Sequence, residues 1–284
     1  MSQLAFWRSG STRVLPGFGL SMGISVLFIS LVLLLPITGL FGQLAGLSLS
    51  EYWAIITDGR VVASYTVTIG AAAVAALVNA VFGLLLAWVL VRYEFPGKRL
   101  LDALMDLPFA LPTAVAGITL ATLYAGNGWM GRLLEPLGFQ VAYTWVGIAL
   151  AMAFTSIPFV VRTVQPVLED LPAEIDEAAM SLGATDSVAF RRVIMPHLWP
   201  ALVTGTGLAF VRSLGEFGAI IFIAGNMPYE TEITALMIFV RLQEYDYAGA
   251  SAIASVVLFV SLALLLVINI WQGRFVRRLH GGKG

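Results

Sequence analysis

Apolar residues in this chain fall in long, nearly uninterrupted runs, not in stripes of period 3.6 or alternations of period 2. The runs cover 20–41, 66–90, 104–124, 144–164, 201–223 and 251–270. Each is close to the roughly 20 residues that a helix needs to cross a hydrocarbon core about 30 Å thick. The pattern predicts an all-α integral membrane protein with about six transmembrane helices. Pro108 and Pro112 fall inside the third run and Pro158 near the end of the fourth. Membrane helices tolerate them because neighbouring helices re-satisfy the freed carbonyls. The first run follows Arg8 and Arg13 and is longer than the 7–15 apolar residues of a signal-peptide core. It reads as a retained first span.

Composition agrees: 59% of the 284 residues are hydrophobic and 12% charged, about half the charged share of a soluble domain. The net charge of −1 is uninformative, but its distribution is not. Arg8, Arg13, Arg92, Lys98, Arg99, Arg162, Arg191, Arg192, Arg274, Arg277, Arg278 and Lys283 fall on one side of the six runs. Arg60, Arg132 and Arg241 fall on the other, with Glu51, Asp58, Glu135, Glu230, Glu232, Glu244 and Asp246. Basic residues mark cytoplasmic loops, so both termini are expected in the cytoplasm, which requires an even number of spans. Trp129, Trp145 and Trp271 read as interface anchors, and Arg274, Arg277 and Arg278 as an anchor facing anionic membrane lipid.

Several chemistries are excluded. There is no cysteine, and the two histidines, His197 and His280, lie far apart in polar flanks. No thiolate or histidine metal site and no Ser/His catalytic pair follows. An intramembrane protease would need a Ser/His or two-Asp pair at membrane depth, whereas Asp102 and Asp106 read as boundary residues on one helix. A secondary transporter would favour an inverted repeat, and none is visible. Gly126–Gly131 matches GxGxxG, but between two membrane spans it lacks the strand–turn–helix setting of a dinucleotide site. No phosphate-binding GxxxxGK[ST] occurs, so if ATP drives this protein another chain binds it. Nothing points to nucleic acid.

The most patterned polar segment covers 165–200. Pro172 suits a first helical turn, Glu174, Asp176 and Glu177 suit a helix N-terminus, and Gly183 suits a left-handed cap. Thr185, Asp186 and Ser187 start a second short helix expected to end before Pro196. On physical grounds alone this is either a surface hairpin that merely connects two spans or a docking element.

Glu177-Ala178-Ala179, Gly183 and Val193-Ile194-Met195-Pro196 resemble the EAA loop of ABC importer permeases, with Val193 and Met195 in place of isoleucine and leucine. In that family the loop forms the coupling helix that docks on a cytoplasmic ATPase. The run Leu107–Gly117, with Pro108 and Pro112, and Arg212-Ser213-Leu214-Gly215-Glu216-Phe217-Gly218 are similar to segments of sulfate and molybdate permeases. Gly225-Asn226-Met227-Pro228-Tyr229 and Tyr245-Asp246-Tyr247-Ala248-Gly249 look like the CysT type of sulfate/thiosulfate permease. The resemblance implies a type I ABC importer permease fold in a bacterial-type inner membrane. It implies a second, related permease subunit, two ATPase subunits and an extracytoplasmic sulfate-binding protein. It implies no cofactor in this chain, Mg-ATP belonging to the ATPase, and no metal. A permease for molybdate, tungstate or another oxyanion is the alternative. The expected organisation is a tail, first helix and outer loop over 1–61, a permease core over 62–273 containing the coupling loop, and a basic tail over 274–284.

Arg212 and Glu216 fall inside the fifth run, where a charge costs roughly 2.5–3.5 kcal/mol on insertion scales. Four residues apart, they share a helix face and can pair. Gly205, Ala209 and Ser213 form a small-xxx-small row that permits close helix packing, and the pair continues it towards the packed interior. Two readings stand: an ion pair that brace the fifth span, or a cation beside the anion path whose grip Glu216 moderates.

Overall fold

The computed structural model describes residues 18–280, without the side chains of Ala173, Asp176 and 274–280. Arg8, Arg13, Lys283 and the side chains of Arg274, Arg277, Arg278 and His280 lie outside the described residues. The described residues form helices and the turns and loops between them, with no strand. Five helices are long and apolar enough to cross a membrane: α1 (Phe18–Leu44), α3 (Gly59–Arg92), α6 (Trp145–Glu169), α8 (Asp186–Leu214) and α10 (Tyr247–His280, the apolar span reaching Gly273). Between them lie α2 (Leu49–Ile56), α4 (Lys98–Met105), α5 (Thr113–Tyr124), α7 (Ala173–Ser181) and α9 (Thr234–Gln243).

The described chain divides into two compact units between Ser48 and Leu49. The first contains α1, whose turn Ser30–Leu34 is a π-helix. The second begins at Leu49. Tyr52 of α2 bonds Ser255 of α10 at 3.0 Å, which ties α2 to the last span.

The centre of the second unit is α3, α6 and α8. One face of α3 carries small residues, Ala71, Ala72, Ala75, Ala76, Gly83 and Ala87, all buried. A Cβ on Gly83 would stand 2.8 Å from Val160 Cβ of α6. Gly205 of α8 likewise brings its backbone to Val160, where a Cβ would stand 3.0 Å from Val160 Cα. Large side chains fill the triangle's basic end, where Leu90, Val164, Leu168 and Leu198 are buried. Trp88 meets Phe190 edge-on at 5.2 Å there.

The third expected span is not one helix. After α4 the chain breaks at Asp106, makes a single turn over Leu107–Ala110, is extended at Leu111 and restarts as α5. Pro112 causes the second break, since its ring drives the preceding residue out of the helical region. The segment still crosses, because α3 ends and α6 begins at opposite ends of the bundle. The expected fifth span stops early too: α8 ends at Leu214, and only Ile220–Ile223 returns to helix. The two breaks pack on each other. A Cβ on Gly117 would overlap the Ala219 backbone, and one on Gly218 would overlap the Thr113 side chain.

The second short helix expected before Pro196 is also different. It runs without interruption into the membrane as α8, through a π turn over Phe190–Ile194. Pro196 removes an N–H from the ladder, and the wider turn lets Met195 N bond Phe190 O instead. The π turn in α1 precedes Pro36 in the same way; π-bulges absorb such defects.

Candidate coupling segment and intramembrane ion pair

The segment that carries the EAA-like motif folds as α7, a left-handed glycine and the start of α8. Gly183 has φ +82°, the conformation that closes a helix without a Cβ penalty. Its N–H donates to Met180 O at 2.9 Å and Ala184 N donates to Ala179 O at 3.0 Å, satisfying the last carbonyls of α7. Glu177, Ala178 and Gly183 are exposed and Ala179 is half-buried. Pro196, also exposed, lies just past the π turn of α8. The outer side of the segment is apolar: Met180 is 52% and Leu182 89% exposed. Small residues at the centre with large apolar ones beside them leave an exposed apolar patch on the segment.

Arg212 and Glu216 come together. Arg212 Nη1 lies 2.8 Å from Glu216 Oε2, although Glu216 stands just past the end of α8. The other carboxylate oxygen, Oε1, accepts from Ala219 N at 3.1 Å. Glu216 thus binds the ends of the gap while sitting 2% exposed; the Arg212 side chain is 37% exposed. The small-residue row leads directly to this site: Gly205, Ala209 and Ser213 are all buried. At its top Ser213 Oγ lies 3.2 Å from Ser156 Oγ of α6, and Asn79 Nδ2 of α3 donates to the same Ser156 oxygen at 2.9 Å. A polar chain therefore joins all three central helices one residue from Arg212.

Two ion clusters were missed in the sequence. Arg162 of α6 donates from Nε and Nη2 to Asp106, at 2.8 and 2.7 Å, and from Nη1 to Asp102 at 2.6 Å. Asp102 and Asp106, four apart, were legible as one helix face, but nothing nearby in the chain named Arg162 as their partner. At the far end Arg60 holds Glu232 through Nε and Nη2, both at 2.7 Å, across 172 positions of sequence. The glycine-rich stretch 126–131 is a turn between helices, where added side chains would strike the carbonyls of Leu123 and Ala125.

Five helices long and apolar enough to cross a membrane, with an exposed apolar segment at one end and an interior ion pair, define a membrane-spanning bundle. Residues 79–281 match the family described as binding-protein-dependent transport system inner membrane component, and the chain belongs to that family. It is 62% identical over 271 residues to the sulfate transport system permease protein CysT of Salmonella typhimurium, covering 95% of this chain and 98% of that one. The CysT protein of Escherichia coli is 63% identical over the same length, with the same coverage, and that of Synechococcus elongatus 50% identical over 251 residues, covering 87% and 90%. Among solved structures, a bacterial ABC transporter that imports alginate superposes with a TM-score of 0.72 at 18% identity, covering 91% of this chain and 96% of that one. The inward-facing methionine transporter MetNI gives 0.54 at 18% identity, covering 82% and 99%. The fold is that of the type I ABC importer permeases.

Proposed function

We propose that this chain is a pore-forming permease subunit of an ATP-driven sulfate/thiosulfate importer. The observation that carries the reading is the exposed, left-handed-capped α7 on a membrane bundle whose sequence has no phosphate-binding loop. Such a chain takes its energy from outside itself, and α7 is the surface that receives it. Likeness to CysT permeases over nearly the whole chain supports sulfate over molybdate or tungstate. On this reading Glu177, Ala178, Ala179, Gly183 and Pro196 form the coupling element. Two ATPase subunits bearing Mg-ATP dock there from the cytoplasm, a second related permease completes the pore, and an extracytoplasmic sulfate-binding protein delivers the anion. The excess of basic residues on the α7 side supports an inner-membrane orientation with both termini in the cytoplasm.

Arg212 is the best placed cation for the passing oxyanion, because it is the partly exposed half of an interior pair. Glu216 keeps it from holding a dianion too tightly. The reconstituted assembly tests the whole reading. The isolated chain should show no ATP turnover, and the complex with its partners should hydrolyse ATP in response to sulfate-loaded binding protein. Radiolabelled sulfate uptake should be displaced by thiosulfate more readily than by molybdate. Turnover that ignores sulfate would reject the assignment.

A further inference from the structure

Helices α3, α8 and α10 enclose a groove of about 590 Å³ whose wall is entirely apolar. Ala73, Ala76 and Ala80 of α3 form one side and Leu264 and Ile268 of α10 another. A Cβ on Gly207 would overlap the Ile268 side chain, so α8 and α10 touch here and the small residues of α3 leave the space. Along α8 the groove runs from Trp199 to Phe210, a rise of about 16 Å. That is close to half of a hydrocarbon core about 30 Å thick, the depth of one leaflet. Leu77 is 64% and Trp199 47% exposed, so the groove opens sideways, where a bilayer lies against the bundle.

The charge around the groove is one-sided. Residues 61–93, 187–215 and 247–280, which cover its three helices, contain no aspartate or glutamate. Trp199, Val203, Thr206 and Phe210 share one face of α8. Followed back towards α7, that face passes through the wide turn at Phe190–Ile194 and reaches Arg191 and Arg192. Both are exposed, and neither forms an ion pair among the described residues. Arg92 is linked to them by contact: it lies 5.5 Å from the centre of the Trp88 ring, and Trp88 meets Phe190, the residue before Arg191. The nearest carboxylates in sequence are Glu94, held by Lys98 at 2.6 Å, and Asp186 at the start of α8. Arginines at a helix end commonly set orientation, but orientation does not require them in line with a dry groove. A packed transmembrane helix would need a seam across both leaflets, whereas this groove ends at Phe210 after one.

We propose that the groove holds one acyl chain of an anionic phospholipid from the leaflet on the α7 side, with Arg191 and Arg192 binding its phosphate. A zwitterionic headgroup brings the same phosphate, but the arginines repel its ammonium. The site does not depend on which solute the protein carries.

The test uses the chain purified from its membrane together with the subunits that accompany it, in nanodiscs of phosphatidylethanolamine. The probe is phosphatidylglycerol with a photoreactive group midway along one acyl chain. Labelling should map to residues 73–80 and 203–210, and unlabelled phosphatidylglycerol should compete at least about tenfold better than phosphatidylethanolamine. Arg191→Gln with Arg192→Gln should weaken binding of the probe at least about tenfold, while the corresponding pair of lysine substitutions should keep most of it. Ala80→Phe should shut out the chain and abolish labelling at 203–210. If that variant assembles poorly, the lipid competition in the wild type still decides. Equal competition by the two lipids, or labelling unaffected by the glutamine pair, would reduce the groove to ordinary lipid contact and overturn the site. A photoreactive phenylalanine at 203 that joins a protein subunit instead of lipid would overturn it too.

Discussion

Glu216 is the residue on which the interior depends most. Its two oxygens do different things: one faces Arg212 and the other caps Ala219 N across the gap after α8. The charge and the cap are separable, because glutamine keeps an acceptor and loses the charge. The double variant Arg212→Gln with Glu216→Gln should therefore assemble and retain thermal stability in detergent. If the pair only braces the bundle, that variant should still take up sulfate. If Arg212 serves the anion path, as we propose, uptake should fall at least tenfold, and undiminished uptake would eliminate that role. Reversing the two charges is a poorer test than the sequence suggests, since it would bury an arginine in a site shaped for a carboxylate. Glycine 117 permits a separate test at the same place. Gly117→Ala forces apart two backbones that touch and should cost about 1–3 kcal/mol, seen as a lowered melting temperature of the purified chain. Gly215→Ala, four residues before Ala219 and with open space where its Cβ would stand, should melt like wild type.

At the scale of elements, the long spans were legible because nothing competes with length and apolarity. The 59–92 helix starts about two turns before its expected run and ends two residues after it, and the 145–169 helix starts within a residue of its run and continues about a turn beyond it. The breaks were not legible. Pro112 announced one, but whether a proline kinks a span or ends it depends on what packs beside it, and here Gly218, about a hundred positions away, lies against Thr113. Pro196 misled in the opposite direction: it looked like a stop, yet one wide turn carries the helix through. Gly183 was legible because only local backbone demands it. Gly183→Val has room for its side chain but not for its φ, at a cost of about 1–2 kcal/mol. It should leave the chain in the membrane and release or uncouple the ATPase, measured by co-purification and uptake; Gly183→Asn should be tolerated. Arg162 fastens the broken third span to α6 by a two-pronged bond to Asp106. Arg162→Lys cannot reproduce that fork, and should expose α4 to proteolysis or hydrogen exchange more than the wild type does.

At the scale of the whole molecule, the distribution of arginine and lysine predicts an orientation with both termini in the cytoplasm. The class followed from a short motif and not from composition. Pairings such as Arg60–Glu232 were hidden because charges far apart in sequence give no signal until the helices are placed. The far end carries more acids than bases, which disfavours capture of a free dianion, although salt screens such fields beyond about 8 Å. Deleting the binding protein should abolish uptake at micromolar sulfate, and uptake that persists would count against an importer of this kind.

One helix joins the two candidate sites, and its construction limits what it can carry. Pro196 and Pro200 stand a turn apart on one face of α8, near α7, and each deletes a backbone hydrogen bond. From Pro200 to Arg212 the helix rises about 18 Å, tightly packed against α6. Mechanically this is a stiff rod with a soft joint near its driven end. It passes a push or a tilt along its axis and lets a twist die out in the joint. On the proposed reading, movement of a docked ATPase would reach the Arg212–Glu216 gap as a displacement along this rod, while rotation would be lost in the joint.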